Sequence, residues 1–309
     1  MKVRTDVAIG FASDVGLRRV DNQDDILVYE PRDAQAFAQR GRLIGLADGM
    51  GGSVGGGEAS RLALRALLAA WLDVDVSAAV ARFGAADGLR RCLASAFEAA
   101  QHALDRAAAE NPRLDGMGTT LTAFVQVEDR IVGVHIGDSR CLWIGQDGAK
   151  WLTSVHASAL EESRLTKALV ARAEPASVEA DEPDFFEAEL VAGDRVLLMS
   201  DGLWRAIPEA EGLATVHSCA LHEAVPLLLE RARAIDGSDN ASVCMLEYRG
   251  ARSADADDAP VEIAESKLDR PRSALRAPRG PSALARAWPG FLILVGIVLL
   301  GVAAWIRWR

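Results

Sequence analysis

Aspartates mark the ends of short apolar runs along this chain, and this repeated placement constrains the fold more than any other feature. They are Asp24, before the run 26–29; Asp48, after 43–47; Asp138, between 131–136 and 141–144; Asp201, after 196–199; and Asp239, before 243–246. A single aspartate beside glycine is typical of a turn, but turns do not require an aspartate at the end of every apolar run. We therefore expect paired sheets that bring the ends of distant strands together at one rim.

The apolar runs predict strands, because they are short, rich in β-branched residues and bounded by turn residues. Residues 7–12 and 121–127 are two further runs of this kind. Residues 58–72, 87–110 and 221–234 are rich in alanine and leucine and predict helices, the second with an apolar face at helical spacing. Strand clusters separated by long helices indicate an α+β fold of layered antiparallel sheets rather than a doubly wound parallel sheet.

The carboxylates at the strand ends also predict a kind of metal. Carboxylates gathered at one rim repel one another strongly unless a cation neutralises them. No histidine or cysteine stands next to these aspartates, so Mg²⁺ or Mn²⁺ fits the pattern and zinc does not. The glycine that follows Asp48 or Asp201 lets a backbone carbonyl approach a metal without a side chain in the way.

Charge and cysteine content exclude several other classes of protein. The 309 residues carry a formal net charge of −10. Residues 1–250 hold 25 Lys/Arg and 38 Asp/Glu, a balance of −13, whereas residues 251–309 hold 9 and 6, a balance of +3. Residues 1–250 are acidic enough to repel the phosphate backbone of a nucleic acid, and nucleic acid is not an expected partner. The four cysteines form no CxxC pair, which argues against a structural zinc site and against a disulfide-framed secreted domain.

The C-terminal part predicts a membrane anchor. Residues 289–306 are 18 uncharged residues with tryptophans at both ends, and as a helix they span about 27 Å, close to the ~30 Å core of a bilayer. A buried core helix is the alternative interpretation.

We predict a folded domain over 1–248, a disordered basic linker over 249–287, a transmembrane helix over 288–306 and a short tail over 307–309. With no signal peptide at the N-terminus and six cations before the span, the positive-inside rule places the folded domain in the cytoplasm of a single-pass, tail-anchored protein.

Six motifs resemble a known family. In order, they are SDVGLRRVDNQD, ADGMGG, GMGTTLTA, GDSR, SDGLW and DNASV, and the resemblance that they carry covers about residues 5–248. Together they resemble the metal-dependent PPM family of protein Ser/Thr phosphatases (type 2C-like), in its bacterial form. The resemblance implies a four-layer αββα sandwich, in which two antiparallel sheets are flanked by helices.

The resemblance also implies a set of metal-binding residues: Asp24, Asp48, the carbonyl of Gly49, Asp138, Asp201 and Asp239. Asp48 would bridge two Mn²⁺ or Mg²⁺ ions, and Asp138 would help to hold a third. Arg19 matches the arginine that grips the substrate phosphate. The implied reaction is hydrolysis of phosphoserine or phosphothreonine in proteins by a metal-bridging hydroxide, in which Asp48 and Arg19 act as the catalytic residues.

Two departures from the family pattern keep a second function open. Val155 stands where the family usually has an aspartate, and the flap that commonly follows is short. His156, next to it, is either an aid to the site or a satisfied structural histidine. The leading interpretation is a membrane-tethered phosphatase that opposes a bacterial Ser/Thr kinase, with phosphoproteins and anionic lipid as partners. The alternative is a pseudophosphatase that binds phosphoproteins at the membrane without turnover, and hydrolysis of a small phosphorylated molecule is a third interpretation.

Overall fold

The computed structural model describes residues 2–3, 6–50, 55–158, 165–174 and 181–250, and two short strands beyond them. Within these ranges no helix is both long and apolar enough to cross a bilayer. The predicted span over 288–306 lies outside the described residues, and so does most of the predicted linker.

The strands and helices alternate in clusters, as the sequence predicts. The strands are β1 Lys2–Val3, β2 Val7–Asp14, β3 Asp24–Tyr29, β4 Arg42–Met50, β5 Gly118–Thr119, β6 Leu121–Val127, β7 Arg130–Ile136, β8 Arg140–Gly145, β9 Gly148–Trp151, β10 Leu169–Val170, β11 Asp184–Glu189, β12 Arg195–Met199, β13 Ala241–Tyr248, β14 Val261–Glu262 and β15 Ala264–Glu265. The helices are α1 Ala34–Arg40, α2 Gly56–Asp73, α3 Val76–Phe83, α4 Ala85–Glu110, α5 Asp201–Trp204, α6 Glu209–Ser218 and α7 Leu221–Ile235, with a 3-10 turn at Pro112–Leu114.

Two sheets contain almost all of these strands. The first sheet has the order β10-β5-β4-β6-β7-β11, with β3 paired to β4. The second sheet has the order β15-β2-β13-β12-β8-β9, and β1 pairs separately with β14. The pairings are antiparallel except that of β15 with β2. The short strands β14 and β15 lie within the segment predicted as linker.

Three apolar cores show how the layers are stacked. One core lies between the first sheet and helices α2 and α4, and a second lies between the second sheet and helices α5 to α7. The third lies between the two sheets and is formed by residues such as Ile9, Ile44, Phe124, Leu198 and Leu246. The described chain is therefore an α+β sandwich of helices, sheet, sheet and helices, which confirms the predicted architecture of this part.

Burial on both faces explains the sequence pattern of the central strands. In β2, Ile9 packs into the core between the sheets, while Ala8 and Ala12 face the helical layer. A Cβ at Gly10 would come within 2.5 Å of the Leu221 side chain of α7, so this helix lies very close to the strand. Strands covered on both sides are apolar on both sides, and they read as continuous apolar runs rather than as alternating ones.

Candidate metal centre

Asp24 and Asp48 lie opposite each other on two paired strands of the first sheet. The antiparallel register of β3 and β4 places Asp24 directly across from Asp48. Two threonines fix the Asp48 backbone: its N–H donates to the Thr120 hydroxyl at 2.9 Å, and its carbonyl accepts from the Thr119 hydroxyl at 2.9 Å. These contacts give the two threonines an orienting role at the end of β4.

Asp138, Asp201 and Asp239 leave neighbouring strands at one edge of the second sheet. Asp138 lies between β7 and β8, Asp201 begins α5 directly after β12, and Asp239 comes just before β13. The register aligns the end of β12 with the start of β8 on one side and with the start of β13 on the other. The sheet pairing thus brings together three residues that are far apart in sequence.

The Asp24 side chain is buried without a hydrogen bond. Neither carboxylate oxygen has a partner among the described residues. Burial raises the pKa of Asp24 to about 6; the hydroxyls of Ser242 and Ser200, which lie nearby, oppose this rise, and the charge of Asp239 adds to it. A buried polar group without a partner costs free energy, so the native fold retains this carboxylate at an energetic disadvantage.

The raised pKa values of Asp48 and Asp201 indicate that the carboxylates share one site. Burial raises the pKa of Asp48 well above its ordinary value, and the charges of the other four aspartates, at positions 24, 201, 138 and 239, raise it further. Burial likewise raises the pKa of Asp201 to about 7, assisted by the charges of Asp138 and Asp239. The carboxylates therefore lie close enough to repel one another, as the sequence predicted for a common rim.

Two arginines contact this set of carboxylates from different sides. The Arg19 guanidinium donates to Asp239 Oδ2 at 2.7 Å, and its side chain is 50% exposed. Arg205 donates to Asp138 Oδ2 at 2.9 Å, and its Nε lies 3.4 Å from Asp201 Oδ2. Arg19 was predicted to lie here, whereas Arg205 was not. The structure thus brings all the predicted site residues to this rim, with Gly49 adjoining Asp48.

The glycines beside two of the aspartates are required by close backbone contacts. A Cβ at Gly49 would lie 2.1 Å from the Gly56 carbonyl oxygen at the start of α2, and one at Gly202 would lie 2.1 Å from the Asn240 carbonyl oxygen. The sequence predicted that these glycines let a backbone carbonyl approach a metal or its waters. The structure adds a second reason for them, since a side chain at either position would push apart the backbone segments beside the aspartates.

Asn240 is a positioning residue within the motif DNASV, and the sequence predicted no role for it. Its side-chain oxygen accepts from the Gln23 N–H at 2.9 Å, and its amide nitrogen donates to the carbonyls of Val15 at 2.9 Å and Asp21 at 3.2 Å. These three bonds tie the loop that carries Arg19 to the start of β13. Asn240 therefore sets the distance between the first and the last motif of the chain.

His156 is a satisfied histidine outside the carboxylate cluster. Its Nδ1 accepts from the Gly137 N–H at 3.1 Å, so its Nε2 carries the proton and donates to Asp184 at 3.1 Å. The ring stacks on buried His135 with centroids 4.8 Å apart. Burial lowers the pKa of His135 to about 4. Of the two interpretations given for His156, the geometry favours the structural one.

The donor set suits a hard divalent cation. The donors are carboxylate oxygens, and the two on Asp24 have no hydrogen-bond partner in the described part of the chain. Burial, and then the charges of neighbouring aspartates, raises the pKa of Asp24 and Asp48. Over the described ranges, no group of three or more Asp, Glu, His or Cys side chains is placed so that it could hold a metal ion as it stands. A closed cage is not required, because Mg²⁺ keeps several of its waters and is held by one or two carboxylates. The residues at this rim therefore fit such an ion.

Comparison with known proteins gives matches over most of the chain. A family model described as protein phosphatase 2C matches residues 21–228. The serine/threonine phosphatase stp of Listeria innocua is 29% identical over 252 residues, which cover 77% of this chain and 94% of that protein. The serine/threonine protein phosphatase PstP of Mycobacterium tuberculosis is 32% identical over 247 residues, which cover 76% of this chain and 44% of that protein.

A solved structure resembles the chain in fold as well as in sequence. It is the crystal structure of the catalytic domain of PstP in complex with two manganese ions, and it superposes with a TM-score of 0.61 at 30% identity. The alignment covers 78% of this chain and 97% of that domain.

Proposed function

The chain belongs to the protein phosphatase 2C family of serine/threonine protein phosphatases, and we propose that it hydrolyses phosphoserine and phosphothreonine in proteins with two Mn²⁺ or Mg²⁺ ions held at the carboxylate rim. The observation that carries this proposal is the meeting of Asp48 with four aspartates from other segments: Asp24 lies directly across from it on the paired strand, and the charges of all four act on it. The manganese-bound structure of the similar PstP catalytic domain supports the choice of metal.

Each residue has a role in this proposal that follows from its position. Asp48, on which the charges of the other aspartates act, would hold both ions, and Asp24, Asp201 and Asp239 would supply further carboxylate oxygens. When bound, two divalent ions supply a water of lowered pKa as the nucleophile and neutralise charge on the phosphoryl group. The remaining steps belong to the protein side chains.

Arg19 binds the substrate phosphate. Its guanidinium is half exposed at the edge of the cluster and makes one short bond to Asp239, so it can turn toward a phosphate without leaving a buried site. A guanidinium donates to two phosphate oxygens at once, which orients the phosphoryl group and offsets the charge that develops in the transition state.

The proton for the leaving group comes from solvent. The residue after Asp48 and Gly49 is Met50, whose thioether has no proton to donate. Water would then protonate the departing serine or threonine alkoxide.

Release of phosphate from a phosphothreonine peptide by the full chain with Mn²⁺ tests the proposal. We expect Asp48→Asn to abolish release and Asp147→Asn, in the exposed turn between β8 and β9, to leave it unchanged. Equal activity of the wild type and Asp48→Asn would contradict the proposal. Retention of the peptide without release would support the pseudophosphatase alternative, for which Val155 is the sequence feature.

We also propose that residues 289–306 anchor the enzyme in the cytoplasmic membrane, with the catalytic domain in the cytoplasm, where it would oppose a membrane-associated Ser/Thr kinase. The support is in the sequence: the segment is uncharged, has tryptophans at both ends and follows a basic stretch. Six cations before the segment would hold the preceding stretch near anionic lipid.

Cell fractionation tests the anchor. The full chain should remain with the membranes after a high-salt wash, and deletion of 289–306 should release it. Deletion of the equally long segment 249–266 is the matched control and should not release it. A reporter fused after Arg309 should appear outside the cytoplasm. A full chain that is soluble, or a reporter that stays inside, would contradict the proposal.

A further inference from the structure

Arg205 bridges two of the aspartates at one end of the carboxylate cluster. It donates to Asp138 Oδ2 at 2.9 Å, and its Nε is 3.4 Å from Asp201 Oδ2. The side chains of Asp138 and Asp201 are 9% and 22% exposed, and that of Arg205 is 29% exposed. One guanidinium thus contacts two largely buried carboxylates. Burial raises the pKa of both, and the charge of Arg205 opposes that rise.

Trp204 helps to fix this arrangement. Its indole N–H donates to the Asp138 backbone carbonyl at 2.9 Å, while the Arg205 guanidinium lies 5.0 Å from its ring centroid. The Arg205 backbone N–H donates to the Asp201 carbonyl at 3.0 Å, which closes the turn of α5. Trp204 therefore holds the main chain of Asp138, and Arg205 holds its side chain. These contacts fix the position of the guanidinium next to the carboxylates.

The other end of the cluster has a different charge environment. Asp24 is fully buried and neither of its oxygens has a hydrogen-bond partner among the described residues. Arg19 contacts Asp239 only from the exposed side. Among the described residues, the Asp24 carboxylate thus has no arginine bonded to it, whereas those of Asp138 and Asp201 are both contacted by Arg205.

We infer that Arg205 takes the place of one divalent ion, so that this site holds two ions rather than three and Asp138 is not a metal ligand in this chain. The inference rests on the proposed function. A third ion between Asp138 and Asp201 would have to displace the guanidinium or lie next to it, and like charges at that distance repel. This replaces the expectation, drawn from family resemblance, that Asp138 helps to hold a third ion.

The number of Mn²⁺ ions bound by the full chain tests this inference. Equilibrium dialysis at millimolar Mn²⁺, or the electron paramagnetic resonance signal of free Mn²⁺, measures the number without reference to activity. We expect two ions for the wild type and three for Arg205→Gln, in which the competing charge is removed. Arg205→Lys keeps a cation and should stay at two. Adding Asp138→Asn to Arg205→Gln should return the number to two.

Two further variants serve as controls. Arg130→Gln removes an arginine that contacts two carboxylates, Glu187 and Glu189, at the opposite end of β7 from Asp138, and it should bind two ions. Asp138→Asn in the wild-type background should also bind two, which keeps the inference testable if Arg205→Gln does not fold.

The outcomes separate the inference from the proposed function. A wild type that binds three ions and loses one in Asp138→Asn would overturn the inference and leave the proposed function intact. So would a folded Arg205→Gln that still binds two. A wild type that binds no Mn²⁺ would overturn the proposed function, and the inference would fall with it.

Discussion

Removing one carboxylate should stabilise the metal-free protein as the pH rises. Asp201 is ionised in the unfolded chain above its ordinary pKa of 3.8, but burial and the charges of Asp138 and Asp239 raise its pKa to about 7 in the native state. Between these values the native state holds a proton that the unfolded state has released. Stability therefore falls as the pH rises through this range, and Asp201→Asn is free of that loss.

The size of the stability difference follows from the rise in the pKa of Asp201. Between pH 5 and the native pKa of about 7, each pH unit costs the wild type roughly 1.4 kcal/mol, so the difference between Asp201→Asn and the wild type should grow by roughly 3 kcal/mol from pH 5 to pH 8. His135, whose native pKa is about 4, acts in the opposite direction, because it destabilises the fold as the pH falls below its unfolded value. It is present in both proteins and cancels in the difference.

Urea unfolding of the full chain with chelator at pH 5 and pH 8 measures this difference. Asp147→Asn, in an exposed turn, is the matched control and should follow the wild type at both pH values. A difference between Asp201→Asn and the wild type that does not change with pH, or that grows in favour of the wild type, would refute the raised pKa of Asp201.

Three further predictions concern other residues. Arg42 is fully buried between two carboxylate partners, so Arg42→Met should lower the free energy of unfolding by about 3–5 kcal/mol in urea. Arg19→Ala should lower kcat/KM for a phosphopeptide by about 100-fold or more without a change in stability. Arg19→Lys should recover only part of the lost kcat/KM, because an ammonium cannot make the bidentate contact with phosphate. His156→Ala leaves the buried Gly137 N–H without its acceptor and should cost about 1–3 kcal/mol of stability. An unchanged unfolding midpoint for Arg42→Met or His156→Ala, or unchanged kinetics for Arg19→Ala, would contradict the corresponding prediction.

The central strands and long helices could be predicted because they are buried. Every apolar run named from the sequence lies within a strand, and the three predicted helices agree with α2, α4 and α7 to within two residues. The strands extend beyond the runs, for example to Asp14 in β2 and to Asp24 in β3, because backbone pairing continues past the last apolar side chain.

Three of the elements that were not predicted are largely exposed or lie at a sheet edge. Helix α1 has no buried residue, and strand β9 is exposed along most of its length. Strand β11 lies at the edge of the first sheet and reads DFFEAE. Such segments have little apolar periodicity, since solvent accepts almost any polar residue there, and their structure depends on neighbours that a single sequence does not reveal.

The site was predictable in its residues but not in its contacts. The aspartates could be identified by their repeated position at strand ends. The register that places Asp24 opposite Asp48 is seen only in the folded sheet. Arg205 lies four residues after Asp201, a helical spacing at which opposite charges meet, and this signal could have suggested that pair. The contact of Arg205 with Asp138 joins residues 67 positions apart in the sequence, and only the tertiary fold brings them together.

The central claim is that Asp48, Asp201 and Asp239 hold divalent ions between them. A crystal of the full chain soaked in Mn²⁺ and measured at the manganese absorption edge tests it directly. We predict two anomalous peaks, both in contact with Asp48. Anomalous density that is absent from this rim, or that lies away from Asp48, would contradict the account.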